Sequence, residues 1–349
     1  MKVVFRADSS VDIGVGHVMR CLTLAAELRK LGCQCLFLCR QLQGDATDLV
    51  WRAGYGLRLL SGACSTIDWR QDADECLRCL QDGWEEPNWL VVDHYGLDER
   101  WESVMHTRAH RIMVIDDTAD RPHDCDLILD QNLYPDGSKR YGHLVPVGAK
   151  QLIGPGYALL RPEFAAMRHR ITPRSGKVGQ ILVSFGGTDP ANATMLALDA
   201  LRALDVNDFV AHVVVGENAP FGEILAATCA ELAWARFYRP AKNMAELMAC
   251  TDLAMGAAGS TVWERCALGL PAVMISLAAN QEPIAKALDQ IGAARYLGPV
   301  EALTAAGVGS GLESMLQAPQ NLHEMSQTAW RLVDGKGTPR VVDEMKKLS

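Results

Sequence analysis

A histidine that follows two glycines is the most chemically suggestive residue of the chain. Gly14-Val15-Gly16-His17 stands between a predicted strand and a predicted helix over residues 18–31. Glycines before a helix let the backbone approach a ligand, and the free N–H groups there attract anions. The positive end of the helix dipole disfavours an imidazolium, which would keep His17 a neutral base. The pattern favours a general base, although a histidine that only satisfies local hydrogen bonds fits the same spacing.

Polar residues also follow three later predicted strands of the first half. They form the clusters Asp93-His94-Tyr95, Asp116-Asp117 and Asp130-Gln131-Asn132. A single acidic residue after a strand is often a helix cap. Three clusters at successive strand ends of one sheet meet at one edge, which favours a site. A metal cage around the two adjacent aspartates is not supported, because neighbouring residues on an extended segment point apart.

The second half has two glycine-containing segments that lead into predicted helices. In Phe185-Gly186-Gly187-Thr188-Asp189-Pro190, we expect the proline at the first helical position, with Asp189 or Thr188 as the cap. In Gly256-Ala257-Ala258-Gly259-Ser260-Thr261, small residues expose a helix start near Val262, and two hydroxyls add donors. Both segments leave backbone donors open for an anion such as a diphosphate.

Polar residues beyond the second glycine segment suit a sugar or a ribose. Glu264 lies one turn into the predicted helix, where its carboxylate could accept both hydroxyls of a ribose. A capping-box partner is an equally good interpretation of that glutamate. Asn280 and Gln281 form a polar set suited to sugar hydroxyls, and Pro283 is placed to open the next helix.

Short apolar runs alternate with helical stretches through both halves, as in a parallel sheet covered on both faces. The predicted strands are 3–6, 35–39, 89–92, 112–115, 127–129, 180–184, 211–215, 235–237, 253–255 and 272–275. Residues 171–179 are rich in Gly, Pro, Ser and Thr, which is typical of a linker and predicts a domain boundary near 165–178. We therefore predict an α/β protein with two Rossmann-like, doubly wound domains, 1–168 and 178–325. A C-terminal helix, 326–349, follows, for which packing against the first domain is one option.

Bulk composition excludes several functional classes. A net charge of −8 over 349 residues, with both signs mixed, argues against a nucleic-acid partner. The N-terminus lacks a signal peptide's apolar core, and no apolar stretch is long enough for a membrane span. The eleven scattered cysteines predict reduced thiols, and no metal-ligand spacing accompanies them. A cytoplasmic protein without a cofactor or metal is expected, and its oligomeric state stays open, with a monomer as one possibility.

Taken together, these motifs resemble the UDP-2,4-diacetamido-2,4,6-trideoxy-β-L-altropyranose hydrolases of pseudaminic acid synthesis. The resemblance covers almost the whole chain. It is carried by Arg6-Ala7-Asp8, Gly14 to Arg20, Asp93 to Gly96, Ile115 to Asp117, Asp130 to Asn132, Leu160 to Phe164, Ser184 to Pro190, Ala258 to Thr261, Glu264, Asn280-Gln281 and Val333 to Gly337.

The resemblance implies a fold, a substrate and roles for individual residues. The fold is the glycosyltransferase B (GT-B) architecture, two Rossmann-like domains facing across a cleft, similar to the enzyme that adds N-acetylglucosamine to lipid I. The implied substrate is a small-molecule UDP-sugar, with its ribose on Glu264 and its diphosphate at Gly259, Ser260 and Thr261. The implied general base is His17, and the implied biological context is flagellin glycosylation.

A departing UDP needs no acid catalyst, so one base would suffice for hydrolysis with C–O cleavage and inversion. Gly16, Gly186 and Gly187 are expected to approach the substrate through their backbone. Asp8, Tyr95 and Arg161 are secondary candidates for orienting the sugar or the water. Two alternatives remain open, a GT-B glycosyltransferase with the same donor and a nucleotide-sugar-binding protein without catalysis. Turnover of the UDP-sugar without an acceptor would distinguish a hydrolase from a glycosyltransferase. Release of UDP would distinguish either enzyme from a binding protein.

Overall fold

The computed structural model describes residues 1–61, 68–204 and 208–349, without the side chain of Ser138. The chain forms two compact units. The first unit contains Met1–Asn132, Asp136–Leu159 and Lys336–Ser349, and the second contains Leu133–Pro135 and Leu160–Gly335.

In the described residues, the first unit is built on a seven-stranded parallel sheet. Its strands are β1 (Lys2–Ala7), β2 (Gln34–Arg40), β3 (Gly56–Leu60), β4 (Trp89–Asp93), β5 (Ile112–Ile115), β6 (Leu127–Asp130) and β7 (Lys150–Ile153). The order in the sheet is β3-β2-β1-β4-β5-β6-β7. Val3 and Phe5 pack in one apolar cluster and Val4 in the other, because successive side chains of a strand point to opposite faces. Both faces of the sheet are therefore covered.

Helices cover the two faces of this first sheet. They are α1 (Gly16–Lys30), α2 (Thr47–Arg52), α3 (Trp69–Cys79), α4 (Glu99–Met105) and, from the end of the chain, α13 (Gly337–Leu348). Val341, Val342 and Met345 of α13 are buried in the same cluster as Val18 and Leu24 of α1. The last helix is thus part of the core of the first unit.

The second unit repeats the architecture with a six-stranded parallel sheet among the described residues. Its strands are β8 (Gln180–Ser184), β9 (Val210–Val214), β10 (Ala235–Tyr238), β11 (Leu253–Ala257), β12 (Ala272–Ser276) and β13 (Arg295–Pro299), in the order β10-β9-β8-β11-β12-β13. Its helices are α5 (Pro162–Arg168), α6 (Ala193–Arg202), α7 (Gly222–Ala230), α8 (Met244–Cys250), α9 (Thr261–Ala267), α10 (Glu282–Gln290), α11 (Ala305–Leu316) and α12 (Pro319–Leu332).

All ten predicted strands are present to within two residues at either end, and three further strands were missed. The missed strands β3, β7 and β13 lie at the edges of the two sheets. Edge strands are partly exposed, and their sequences lack the continuous apolar run that marks a buried strand. A search for such runs therefore detects central strands better than edge strands.

The division between the units differs from the predicted boundary at residues 165–178. Helix α5 packs against α8 and α9, so the second unit begins at Leu160. The linker-like segment lies inside the second unit, because buried Arg174 donates from Nε to the carbonyl of Thr251 (3.1 Å) and from Nη2 to that of Met248 (2.6 Å). The predicted C-terminal segment 326–349 is shared, since α12 belongs to the second unit and α13 to the first.

The cysteines that the structure describes are free thiols, whereas Cys64, at the start of a cysteine- and tryptophan-rich segment (residues 64–89), lies outside the described residues. In the same described ranges, no helix has both the length and the apolar character needed to cross a membrane.

Candidate functional site

His17 is held by a buried carboxylate in the first unit. Helix α1 begins at Gly16, two residues before the predicted start, so His17 lies in its first turn. Its side chain is largely buried, and Nδ1 lies 2.6 Å from Oδ1 of Asp93. Asp93 is the last residue of β4, which pairs with β1 directly before the glycine loop. The strand order therefore brings Asp93 beneath a histidine that is 76 residues away in the chain.

Arg20, one turn after His17, fixes the same carboxylate. Its Nε lies 2.5 Å from Oδ2 of Asp93, and its Nη2 lies 2.6 Å from Oδ1. Burial alone would raise the pKa of Asp93, but Arg20 and His17 hold that pKa well below its ordinary value. An ionised Asp93 can only accept, so Nδ1 of His17 carries the proton and Nε2 is left as the basic nitrogen. Arg20 Nη2 and His17 Nδ1 lie 3.3 Å apart because both donate to the same oxygen, Oδ1 of Asp93.

Tyr95 lies against His17 and is tied to the same network. The two rings meet edge-to-face with centroids 4.7 Å apart. Asp117 accepts a hydrogen bond from the Tyr95 hydroxyl and lies 3.2 Å from Nη1 of Arg20. Burial and the Asp117 carboxylate raise the pKa of Tyr95 well above its ordinary range, so the phenol stays protonated. Tyr95 is 39% exposed, so part of the residue is accessible from solvent.

Asp8 lies deeper than its predicted role suggests. Arg6 forms a bidentate ion pair with it, 2.6 Å from Nη1 to Oδ1 and 2.8 Å from Nη2 to Oδ2. The amide of Arg40 donates to Oδ1 at 2.7 Å, and Nε2 of His94 lies 3.3 Å from Oδ2. These contacts make Asp8 part of a buried charge cluster below the loop, and its contact with substrate stays a prediction.

The remaining polar clusters meet at one sheet edge, since β4, β5 and β6 are neighbours. Asp116 and Asp117 have different partners: Asp117 contacts Arg20, whereas the hydroxyl of Tyr141 lies 2.9 Å from Asp116 Oδ2 and 3.2 Å from Asp130 Oδ2. Burial raises the pKa of Asp130 to about 7. Gln131 accepts the amide of Leu159 at 3.0 Å. Asp116 and Asp130 are thus joined through Tyr141, whereas Asp93, Tyr95 and Asp117 of the predicted clusters belong to the network of His17 and Arg20.

In the second unit, the loop after β8 is open at two glycines. A side chain at Gly186 or Gly187 would meet no atom within 4 Å, and Gly186 has a φ of 102° that favours glycine. Helix α6 begins at Ala193, so the prediction that Pro190 is its first residue was wrong. The cause is an intervening turn, in which the amide of Asn192 donates to the carbonyl of Asp189 at 3.0 Å.

The N-cap position of α6 is Asn192, whose side chain makes no cap hydrogen bond, and the predicted residue Asp189 supplies the acceptor from three residues further back. The Asp189 carboxylate accepts the amides of Ala193 and Thr194, each at 2.9 Å. The first donors of α6 are therefore already used by a carboxylate. An anion bound here would rely on the amides of the glycine loop and not on the helix end.

The loop after β11 leads into α9, which begins at Thr261, one residue before the predicted start. The exposed side chain of Ser260 does not cap this helix. Glu264 is 15% exposed, and its Oε1 lies 3.2 Å from Nη2 of Arg161, which also pairs with Glu163 at 3.0 Å. Burial raises the pKa of Glu264, an effect that Arg161 opposes. The structure thus brings Arg161 and Glu264 together in the second unit.

Gln281 lies close to the glycine loop after β11, and its neighbour Asn280 is exposed. Gln281 Oε1 accepts the amide of Leu277 at 3.0 Å, and its Nε2 lies close to Gly259. Pro283 lies in the first turn of α10, as expected. Gly259 and Gln281 therefore border the same part of the second unit.

Neither a role for Arg20 nor the pairing of Asp93 with His17 was predicted from the sequence. Arg20 could have been found, because residues three apart on a helix lie on one face. The pairing depends on β4 lying beside β1, which no local pattern reveals. Within the described ranges, no group of three or more His, Cys, Asp or Glu side chains is arranged to hold a metal ion.

The chain is similar to proteins that carry nucleotide-sugar enzyme names. Residues 181–343 match the model of the glycosyltransferase family 28 C-terminal domain. An uncharacterized protein of Methanocaldococcus jannaschii is 26% identical over 281 residues, which cover 79% of this chain and 55% of that protein. The UDP-2,4-diacetamido-2,4,6-trideoxy-beta-L-altropyranose hydrolase of Campylobacter jejuni is 30% identical over 196 residues, which cover 56% of this chain and 64% of that enzyme. The matches thus span less than two thirds of either relative.

The structure of MurG from Acinetobacter baumannii superposes with a TM-score of 0.69 at 18% identity, covering 99% of this chain and 100% of that one. The fold is GT-B. This likeness agrees with the two parallel-sheet units described above and with the fold predicted from the sequence.

Proposed function

We propose that the protein hydrolyses a UDP-activated 2,4-diacetamido-2,4,6-trideoxyhexose to UDP and the free sugar, as a step of pseudaminic acid biosynthesis. The observation that carries the proposal is the pairing of His17 with buried Asp93 at 2.6 Å. The name of the C. jejuni relative supports the substrate class, and the GT-B fold supports a nucleotide-sugar as the ligand.

In the proposed reaction, His17 is the general base. Asp93 holds the proton on Nδ1, so Nε2 can accept a proton from water. The water oxygen forms a bond to the anomeric carbon while the bond from that carbon to the diphosphate oxygen breaks. The bonding pair leaves with UDP, and the water proton passes to His17. One displacement from the face opposite UDP inverts the configuration.

The leaving group requires electrostatic support and no proton donor, because a diphosphate is weakly basic. The open glycines of the second unit, Gly186, Gly187 and Gly259, can present backbone donors to it. Ser260 and Thr261 add hydroxyls, and Glu264 is assigned to the ribose. Because Glu264 Oε1 is engaged by Arg161, ribose binding would compete with or rearrange that ion pair.

A glycosyltransferase that uses the same donor is the second candidate. The match to the glycosyltransferase family 28 C-terminal domain favours it specifically. A transferase would pass the sugar to an acceptor hydroxyl and would turn over slowly in its absence. A hydrolase turns over fully with water alone.

The role of His17 is tested by His17→Ala with a panel of UDP-diacetamido-trideoxyhexoses, followed by mass spectrometry of the products. Loss of a positioned base should lower kcat by about 10²–10⁴-fold. The Kd for UDP should not change, since the diphosphate contacts lie in the second unit. Full turnover by the His17→Ala enzyme would remove this histidine from the mechanism.

A further inference from the structure

A buried arginine, Arg265, lies where the second sheet would receive its ligand. Arg265 of α9 is 3% exposed, and its Nη2 donates to the carbonyl of Ala257 at 2.5 Å. A side chain at Gly256 would collide with Nη1 of Arg265 and with the carbonyl oxygen of Ser184. The guanidinium therefore lies against the last residues of β8 and β11, and Gly256 leaves the room that it occupies.

The strand order gives this position a functional meaning. From β8 the chain continues to β9 on one side, and later it returns to β11 on the other side of β8. Ligands of open parallel sheets bind at such a switch point, beyond the carboxyl ends of the strands. Both glycine loops, Gly186-Gly187 after β8 and Ala258-Gly259 after β11, leave the sheet here. Arg265 thus places a cation below both loops.

The charge of Arg265 has little compensation inside the protein. Among the residues that the structure describes, no carboxylate lies within ion-pair distance of it, and the neighbouring Glu264 pairs with Arg161. Burial lowers the pKa of Arg265 to about 10, although Cys266 and Glu264 act in the opposite direction. The group remains a cation at neutral pH. A buried cation without a counter-ion is costly, and ionisable groups with perturbed pKa values cluster at functional sites.

Another buried arginine of the same unit shows what a purely structural role looks like. Arg174 is also largely buried, and its guanidinium donates to the carbonyls of Met248, Ala249, Thr251 and Leu268. Its donors are thus distributed over backbone acceptors. Arg265 has one such acceptor, Ala257, in the described part of the chain.

We propose that Arg265 supplies the fixed positive charge of the diphosphate site and acts from beneath the two glycine loops. The assignment rests on the proposed function, because it takes the ligand to be a nucleoside diphosphate. It adds a residue that sequence motifs do not mark, and it gives a charge source within the chain for the departing UDP.

The test compares the binding of UDP and of uridine by calorimetry in the full-length protein and in Arg265→Gln. A charge-assisted contribution of this kind should weaken UDP binding by about 10- to 100-fold. Uridine binding should not change, because uridine carries no phosphate. Arg174→Gln is the matched control, since it removes a buried guanidinium of the same unit. That control should lower the melting temperature and leave the ratio of UDP to uridine affinity as in the wild type.

Arg265→Lys keeps the charge and serves if Arg265→Gln does not fold. Its preference for UDP over uridine should remain within about threefold of the wild type, because a point charge still attracts the diphosphate. An unchanged UDP-to-uridine ratio in folded Arg265→Gln, or a lost preference in folded Arg265→Lys, would overturn the assignment. A wild-type protein that binds neither UDP nor uridine would instead overturn the proposed function, and this proposal with it.

Discussion

One small network joins His17, Asp93 and Arg20, and each side chain has a different part in it. Asp93 sets the tautomer of His17, and Arg20 keeps Asp93 ionised and fixed through two contacts of 2.5 and 2.6 Å. An imidazole held in this way loses little rotational freedom when it accepts a proton. This network would let His17, the proposed general base, act without a second carboxylate that contacts the substrate.

Replacement of the carboxylate tests this arrangement at the scale of single residues. Asp93→Asn removes the charge that fixes the Nδ1 proton, so kcat should fall by about 10²-fold or more while KM changes little. Steady-state kinetics with the UDP-sugar measures both constants.

Asp116→Asn is the matched control for that experiment. Asp116 is an equally buried carboxylate at the adjacent strand end, but its partners are Arg121, Thr118, Tyr141 and the amide of Ala119. This variant should lose stability and keep most of its kcat. Equal kcat losses in the two variants would show that Asp93 acts only through the fold.

The sequence alone indicated His17 because two glycines and a helix start are local signals. The proximity of Asp93 and Arg161 to their partners was not predictable, since each contact joins elements that are far apart in the chain. The role of Asp8 stays a prediction. This residue stands in a suggestive motif, yet Arg6 and the amide of Arg40 already occupy its carboxylate.

At the scale of elements, the start of α6 shows how turn chemistry overrides a simple rule. Pro190 suits a first helical position, but Asn192 adopts a left-handed conformation with a φ of 51° and delays the helix to Ala193. Asp189 then reaches forward to cap the first amides. Helix existence was predictable from the apolar period, whereas the exact start depended on this turn.

Removal of the cap should destabilise the protein measurably. Asp189→Ala loses two hydrogen bonds to the N-terminus of α6, and the expected loss in the free energy of unfolding is about 1–2 kcal/mol. Urea denaturation measures it. Asp199→Ala, the same substitution at a half-exposed position of that helix, should change the free energy of unfolding by less than about 0.5 kcal/mol. Equal effects of the two substitutions would contradict the capping role.

At the scale of the whole molecule, the central strands of both parallel sheets were predictable, because buried strands appear in the sequence as continuous apolar runs. The edge strands β3, β7 and β13 were not, since partial exposure breaks that pattern. The unit boundary was displaced for a topological reason. Helix α13 returns to the core of the first unit, and α5 packs in the second, so neither element follows the simple division of the chain.

The most direct test of hydrolysis at the anomeric carbon is turnover of the UDP-sugar in ¹⁸O-enriched water without an acceptor, followed by mass spectrometry. Hydrolysis at this carbon predicts stoichiometric release of UDP, with the ¹⁸O atom in the free sugar and none in UDP. Label in UDP would mean attack at phosphorus, and the absence of turnover until an acceptor is supplied would mean a transferase. Either result would contradict a hydrolase in which His17 directs water to the sugar.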